Sequence, residues 1–84
     1  MRAETIEETI EVGAQFRQRG MRPVWVMWQG RRRDITEVTT TWREQDGAQL
    51  HYCFSVVSGA GCYELRFDAR ALRWWLVNVA LMDQ

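Results

Sequence analysis

The sequence predicts an all-β domain, an antiparallel meander of about six strands in a strongly bent sheet or small open barrel. Three observations carry that expectation. Apolar and polar residues alternate with period two over long stretches, and short Gly-containing turn signals separate those stretches. Residues Tyr52–Val79, in addition, read as three strands joined by two short turns. At 84 residues the chain makes a single domain, 1–84, which buries only somewhat more than ~60% of its unfolded surface. Five Trp, two Tyr and three Phe compensate for that small core, since each ring buries ~150–250 Å².

In the first segment Ile6, Ile10, Val12, Ala14 and Phe16 occupy even positions, with Glu8 the exception. The Ile6–Ile10 spacing also suits a helix, but period two fits more positions and Thr and Ile favour a pleated surface. The reading is a strand over residues 5–16. Arg17–Arg22, which contains Gly20 and precedes Pro23, the only proline, reads as a loop. Val24–Trp28, a Gln29-Gly30 turn and an Arg-rich strand running to about Trp42 form a hairpin. Its register sets Trp28 opposite Arg31, Val26 opposite Arg33 and Val24 opposite Ile35 on one face. Trp25, Met27, Arg32 and Asp34 take the other. Ile35 and Val38 lie three apart, so a bulge or bend near Thr36-Glu37 is needed to turn both inward. A short helix after Ile35 or at the N-terminus is the alternative.

Glu44–Gln49, with Asp46-Gly47, reads as the next turn. With a turn at Ser58–Gly61, Val57 pairs with Cys62. One face then collects Tyr52, Phe54, Val56, Tyr63, Leu65 and Phe67 and is wholly apolar, as a hairpin over a core requires. Cys53 falls opposite Arg66, so the two cysteines stand ~13 Å apart at ~3.4 Å per residue. Bridged Cα atoms lie within ~7 Å, so both thiols are expected free. For the last segment either Trp74 and Leu76, or Trp75, Val77 and Val79, face the core.

The formal net charge is zero, which argues against wrapping nucleic acid through phosphate charge alone. The charges are segregated, however. Residues 1–12 carry Arg2 against Glu4, Glu7, Glu8 and Glu11; residues 17–33 carry six Arg and no acid. All 11 basic residues are Arg, which forks onto carboxylate and phosphate and stacks on rings. No signal-like apolar segment, membrane-length run or basic amphipathic helix occurs, so no membrane partner is expected and the expected compartment is the cytoplasm.

Four pieces recur in order: Trp28-Gln29-Gly30-Arg31; Val38 with Trp42-Arg43-Glu44; Gly61-Cys62-Tyr63-Glu64-Leu65 with Asp68; and Arg73-Trp74-Trp75-Leu76. Together, over roughly residues 23–79, they resemble a group of small bacterial all-β domains of unknown function. Members of that group are sometimes encoded beside translesion DNA polymerases. The resemblance implies a DNA-damage context but no activity and no catalytic residues. The chain departs from it at Arg33, where the group tends to carry an aromatic residue.

No constellation for catalysis is evident. His51 and Cys53 share a strand face, but no nucleophile elbow or oxyanion motif accompanies them. One His and two distant Cys do not furnish a zinc site, and no phosphate-cradling loop is present. No cofactor, metal or small-molecule ligand is therefore expected, and the chain reads as a non-enzymatic binding module. The first expectation is protein interaction or homo-oligomerisation through an apolar sheet face, given the surplus of Trp. The alternative is single-stranded nucleic-acid binding by the Arg/Trp hairpin, with Trp25, Met27, Arg31, Arg32 and Arg33 as contacts.

Overall fold

A computed structural model describes residues 2–81, with side chains from residue 4 onward. It contains seven strands: β1 (Arg2–Arg17), β2 (Gly20–Trp28), β3 (Arg31–Asp34), β4 (Glu37–Asp46), β5 (Gln49–Ser58), β6 (Gly61–Asp68) and β7 (Arg73–Leu81). They form one antiparallel sheet in the order β3-β2-β1-β7-β6-β5-β4, curled into a half-barrel. Among the described residues no helix forms, so none is long and apolar enough to cross a membrane. The count exceeds the expected six because the Arg-rich segment divides into β3 and β4.

That division shapes the molecule. β3 and β4 are consecutive in sequence, yet they are the two opposite edges of the sheet. Only Ile35 and Thr36 separate them. Ile35 N–H donates to the Val24 carbonyl of β2 and Thr36 N–H to the Val57 carbonyl of β5, each at 2.9 Å. The Ser58 hydroxyl adds a 2.6 Å bond to the Asp34 carbonyl. Ile35 thus packs on the core from a crossing rather than from a strand, and Val38 packs from β4. The bend expected near Thr36-Glu37 is this crossing, and a separate bulge between Val38 and Thr40 realigns β4.

The two hairpin registers agree with expectation. Trp28 faces Arg31 and Val26 faces Arg33; Val57 pairs Cys62 and Cys53 pairs Arg66, leaving both thiols free. Val24 is displaced by a bulge opposite Gly13/Ala14, which also accommodates Pro23, where the missing N–H does no harm. The strand β7 resolves the alternatives left for it by using parts of both. Its register shifts at Val77, so Trp74 and Leu76 face the core before the shift and Val79 after it.

The concave face holds the core: Val26, Phe54, Val56, Tyr63, Leu65, Leu76 and Val79. Trp74 stacks between Phe54 and Phe67, with centroids at 5.6 and 4.8 Å. Glu8, the exception to the alternation in β1, pairs opposite the buried Leu76 and accepts a 3.2 Å hydrogen bond from Trp28 Nε1. This exposed carboxylate on the inward-facing side is thereby partnered.

On the convex face Gly13 lies beneath Trp25. A Cβ at Gly13 would collide with Nε1 and Cε2 of the Trp25 ring. Gly13→Ala therefore destabilises the domain by about 1–3 kcal/mol in urea denaturation, and the loss shrinks in a Trp25→Ala background, where the ring is gone.

Candidate functional site

The Arg-rich hairpin is divided between the two faces of the sheet. Arg32, Trp25 and Met27 lie on the convex side, while Arg31, Arg33 and Trp28 lie on the concave side, as their register requires. Arg32 stacks over Trp25 with its Cζ 5.1 Å from the ring centroid, and its Nε bonds Asp34 at 2.9 Å. With Gly13 below and Arg32 above, both faces of the Trp25 ring are occupied. Arg33 covers Trp28 in the same way at 5.1 Å, and Trp28 meets Tyr63 edge-on at 5.8 Å. The Arg33 guanidinium reaches Gln29 Oε1 at 3.5 Å, while its Nε is buried without an acceptor. Met27 and Arg31 remain exposed. A base stacking on either Trp would first displace an arginine and forfeit a cation–π contact of about 0.5–1 kcal/mol.

His51 and Cys53 sit on the convex face, each with a different partner. His51 Nε2 is 3.8 Å from Asp68 Oδ2, and Asp68 Oδ1 accepts from the Arg70 and Ala71 N–H groups, capping the β6–β7 turn. The Cys53 thiol donates to Glu44 Oε1 at 3.2 Å. Burial first, then that hydrogen bond and the Glu44 and Glu64 charges, push the thiol from its ordinary 9.0 up to about 12, against a smaller opposing effect of Arg66. A thiol held protonated is not a nucleophile at neutral pH. Arg66 instead organises this face, pairing Glu7 at 3.1 Å and lying over Trp75 at 5.7 Å. Among the described residues no group of three or more His, Cys, Asp or Glu is placed to hold a metal ion.

The open feature of the molecule is the seam between the sheet's edges. It is stapled at the Ile35–Thr36 end and widens away from it into a cleft of about 710 Å³. The β1–β2 turn supplies one wall through Phe16, Arg17, Arg19 and Met21. Strands β4 and β5 supply the other through Thr41, Trp42, Arg43 and Tyr52, with the core rings Phe54 and Phe67 between. Phe16 is 75% exposed, far more than any other aromatic residue among those described. Arg43 lies over Tyr52 at 5.6 Å, and Arg17 bonds Gln15. The lining carries three Arg and no carboxylate.

Alongside this cleft runs the free edge of β4. Nine of its ten residues pair with β5 on one side, Thr39 being bulged out, and among the described residues no strand pairs with it on the other. No protein-family model, curated protein or solved structure matches the chain. Its functional reading therefore rests on geometry.

Sequence reasoning missed the cleft although two of its signals were visible. The run Phe16-Arg17-Gln18-Arg19-Gly20 places an aromatic and two cations at a turn, and Arg43 follows Trp42 in a Thr-rich strand. Nothing local says that these segments, more than twenty residues apart, face one another.

Cys53 gives a direct check. Iodoacetamide labels it only on unfolding. The unfolded chain loses the thiol proton near pH 9 and the folded chain near 12, so Cys53 contributes a fall in stability as pH rises through that window. Urea midpoints followed from pH 8 to 11 should decline less steeply in Cys53→Ala.

Proposed function

We propose that this protein is a non-enzymatic protein-interaction module that receives an extended segment of a partner along the β4 edge. The observation that carries this reading is the ten-residue strand left unpaired beside a cleft. An unpaired edge presents a row of N–H and C=O groups that a partner strand completes, and pockets for alternate side chains give selectivity.

The surplus of tryptophan does not favour a broad apolar face as the contact surface. The concave face is filled by its own side chains, and on the convex face Trp25 and Trp75 lie under Arg32 and Arg66. Large exposed apolar side chains are few among the described residues: Phe16, Met27, Leu72 and Leu81. Of these only Phe16 borders the cleft. Occupation of both Trp25 faces likewise weighs against base stacking on the Arg-rich hairpin.

Edge strands of this kind are commonly blunted by charge, Pro or a bulge. The β4 edge has its bulge near the stapled end, at Thr39, whose hydroxyl bonds the Ser55 carbonyl at 3.0 Å. From Thr40 onward its pairing with β5 is regular, and the cleft accompanies this regular part.

Panning a random nine-residue peptide library against the protein tests the reading. Selected peptides, added in excess, should slow hydrogen exchange of β4 amides by at least tenfold while leaving β3 unchanged. N-methylation of alternate peptide amides should abolish binding in one phase and spare it in the other. Binding peptides that leave β4 exchange unaltered would refute strand addition.

A further inference from the structure

The charge of the cleft narrows the partner. In β4, Thr41 and Arg43 pair with Phe54 and Tyr52 and share the concave side, whereas Thr40, Trp42 and Glu44 pair with Ser55, Cys53 and His51 on the convex side. A strand laid beside β4 keeps that alternation, because directly opposed residues point the same way. Its residue opposite Thr41 then turns into the cleft toward Phe54. Its residue opposite Arg43, two positions along, turns toward the Arg43 guanidinium, with Arg17 and Arg19 on the far wall.

We propose that the cleft takes an acidic extended peptide segment, with an apolar side chain over Phe54 and an Asp or Glu two residues away among Arg43, Arg17 and Arg19. This deepens the strand-addition reading and rests on it. Three guanidinium groups lining a cleft without a carboxylate repel one another until an anion enters, and Arg binds carboxylate in a bidentate fork. The carboxylates nearest in sequence are engaged elsewhere: Glu44 accepts from Cys53 on the convex side and Asp68 caps its turn. Thr41, small beside Arg43, leaves room for the apolar residue of the partner. Phe16, exposed at the cleft mouth, supplies a ring to cover it.

A nucleic acid strand fits these observations less well. It makes no use of a free strand edge, and a backbone following β4 would run past Glu37, Glu44 and Asp46. Three arginines also neutralise few phosphates, which leaves little of the electrostatic affinity such binding draws on.

The selected nine-residue peptides decide the matter. The expected consensus is an apolar residue and an Asp or Glu at i and i+2. In fluorescence anisotropy, replacing that acid by Gln should weaken binding at least tenfold, and Lys should abolish it. Arg43→Glu should reverse the preference in favour of the Lys peptide. If Arg43→Glu does not fold, Arg19→Glu, at the exposed β1–β2 turn, should weaken the acidic peptide instead. Peptides that protect β4 but show no acid preference, or Glu, Gln and Lys peptides that bind equally, would overturn the acidic partner and leave strand addition standing. Peptides that bind without protecting β4 would overturn both. Tighter binding of a fifteen-residue oligo-dT than of the Glu peptide, lost in Arg43→Glu, would overturn the proposal by assigning the cleft to nucleic acid.

Discussion

Two residues, Ile35 and Thr36, impose the shape of the whole sheet. Laid flat, seven strands at about 4.8 Å spacing would hold β3 and β4 about 29 Å apart. The step from Asp34 to Glu37 spans at most about 11 Å of extended chain. The sheet must therefore curl until its edges nearly touch at that end. The hydrogen bonds from Ile35 to Val24 and from Thr36 to Val57 hold the two edges at the crossing. Curling gives a small domain an enclosed core without a second sheet or a helix to cover it. The same curl, imposed at one end only, leaves the seam wider at the other, and the cleft is the result.

The convex face shows how a tryptophan-rich chain of zero net charge remains presentable to water. Arg32 and Arg66 each lie over an aromatic ring there, as Arg33 and Arg43 do over Trp28 and Tyr52 on the concave face. The guanidinium plane covers the ring while keeping its charge toward solvent or toward a carboxylate such as Asp34 or Glu7. Lysine, a point charge on a flexible stem, would cover the rings less well. An all-arginine basic complement thus has a structural use in this fold, alongside whatever set the composition.

What could be read from the sequence was the local pairing. Tyr52–Phe67 alternates strictly around a Gly-rich turn, so a single register buries all six apolar residues, and that register is the one found. The Gln29-Gly30 turn fixed the Arg-rich hairpin in the same way. Period-two reasoning failed where a strand changes its inward parity. Val77 let β7 bury both Leu76 and Val79, and no residue pattern distinguishes a bulge from two competing registers. The Ile35–Val38 spacing signalled a bend near Thr36-Glu37, but no turn signal told that it carries the chain from one edge of the sheet to the other. The candidate site was less legible still. Its walls come from the β1–β2 turn and from β4, brought together by the pairing of β1 with β7 and by the curl that the Ile35–Thr36 crossing imposes.

That pairing also governs the order in which the domain can assemble. β1 lies between β2 and β7, so within the sheet it joins the β2–β3 hairpin to the β4–β7 meander. Its contacts with β7 span nearly the full length of the chain, from Arg2 against Leu81 to Ile10 against Trp74. Each hairpin can form early from neighbouring residues, but the enclosed core cannot exist until the last strand reaches the first. Loop closure on that scale is a late and costly step, which places this fold among the slower small domains. Until it is complete, the apolar faces of Tyr52–Phe67 and Trp74–Val79 stand open.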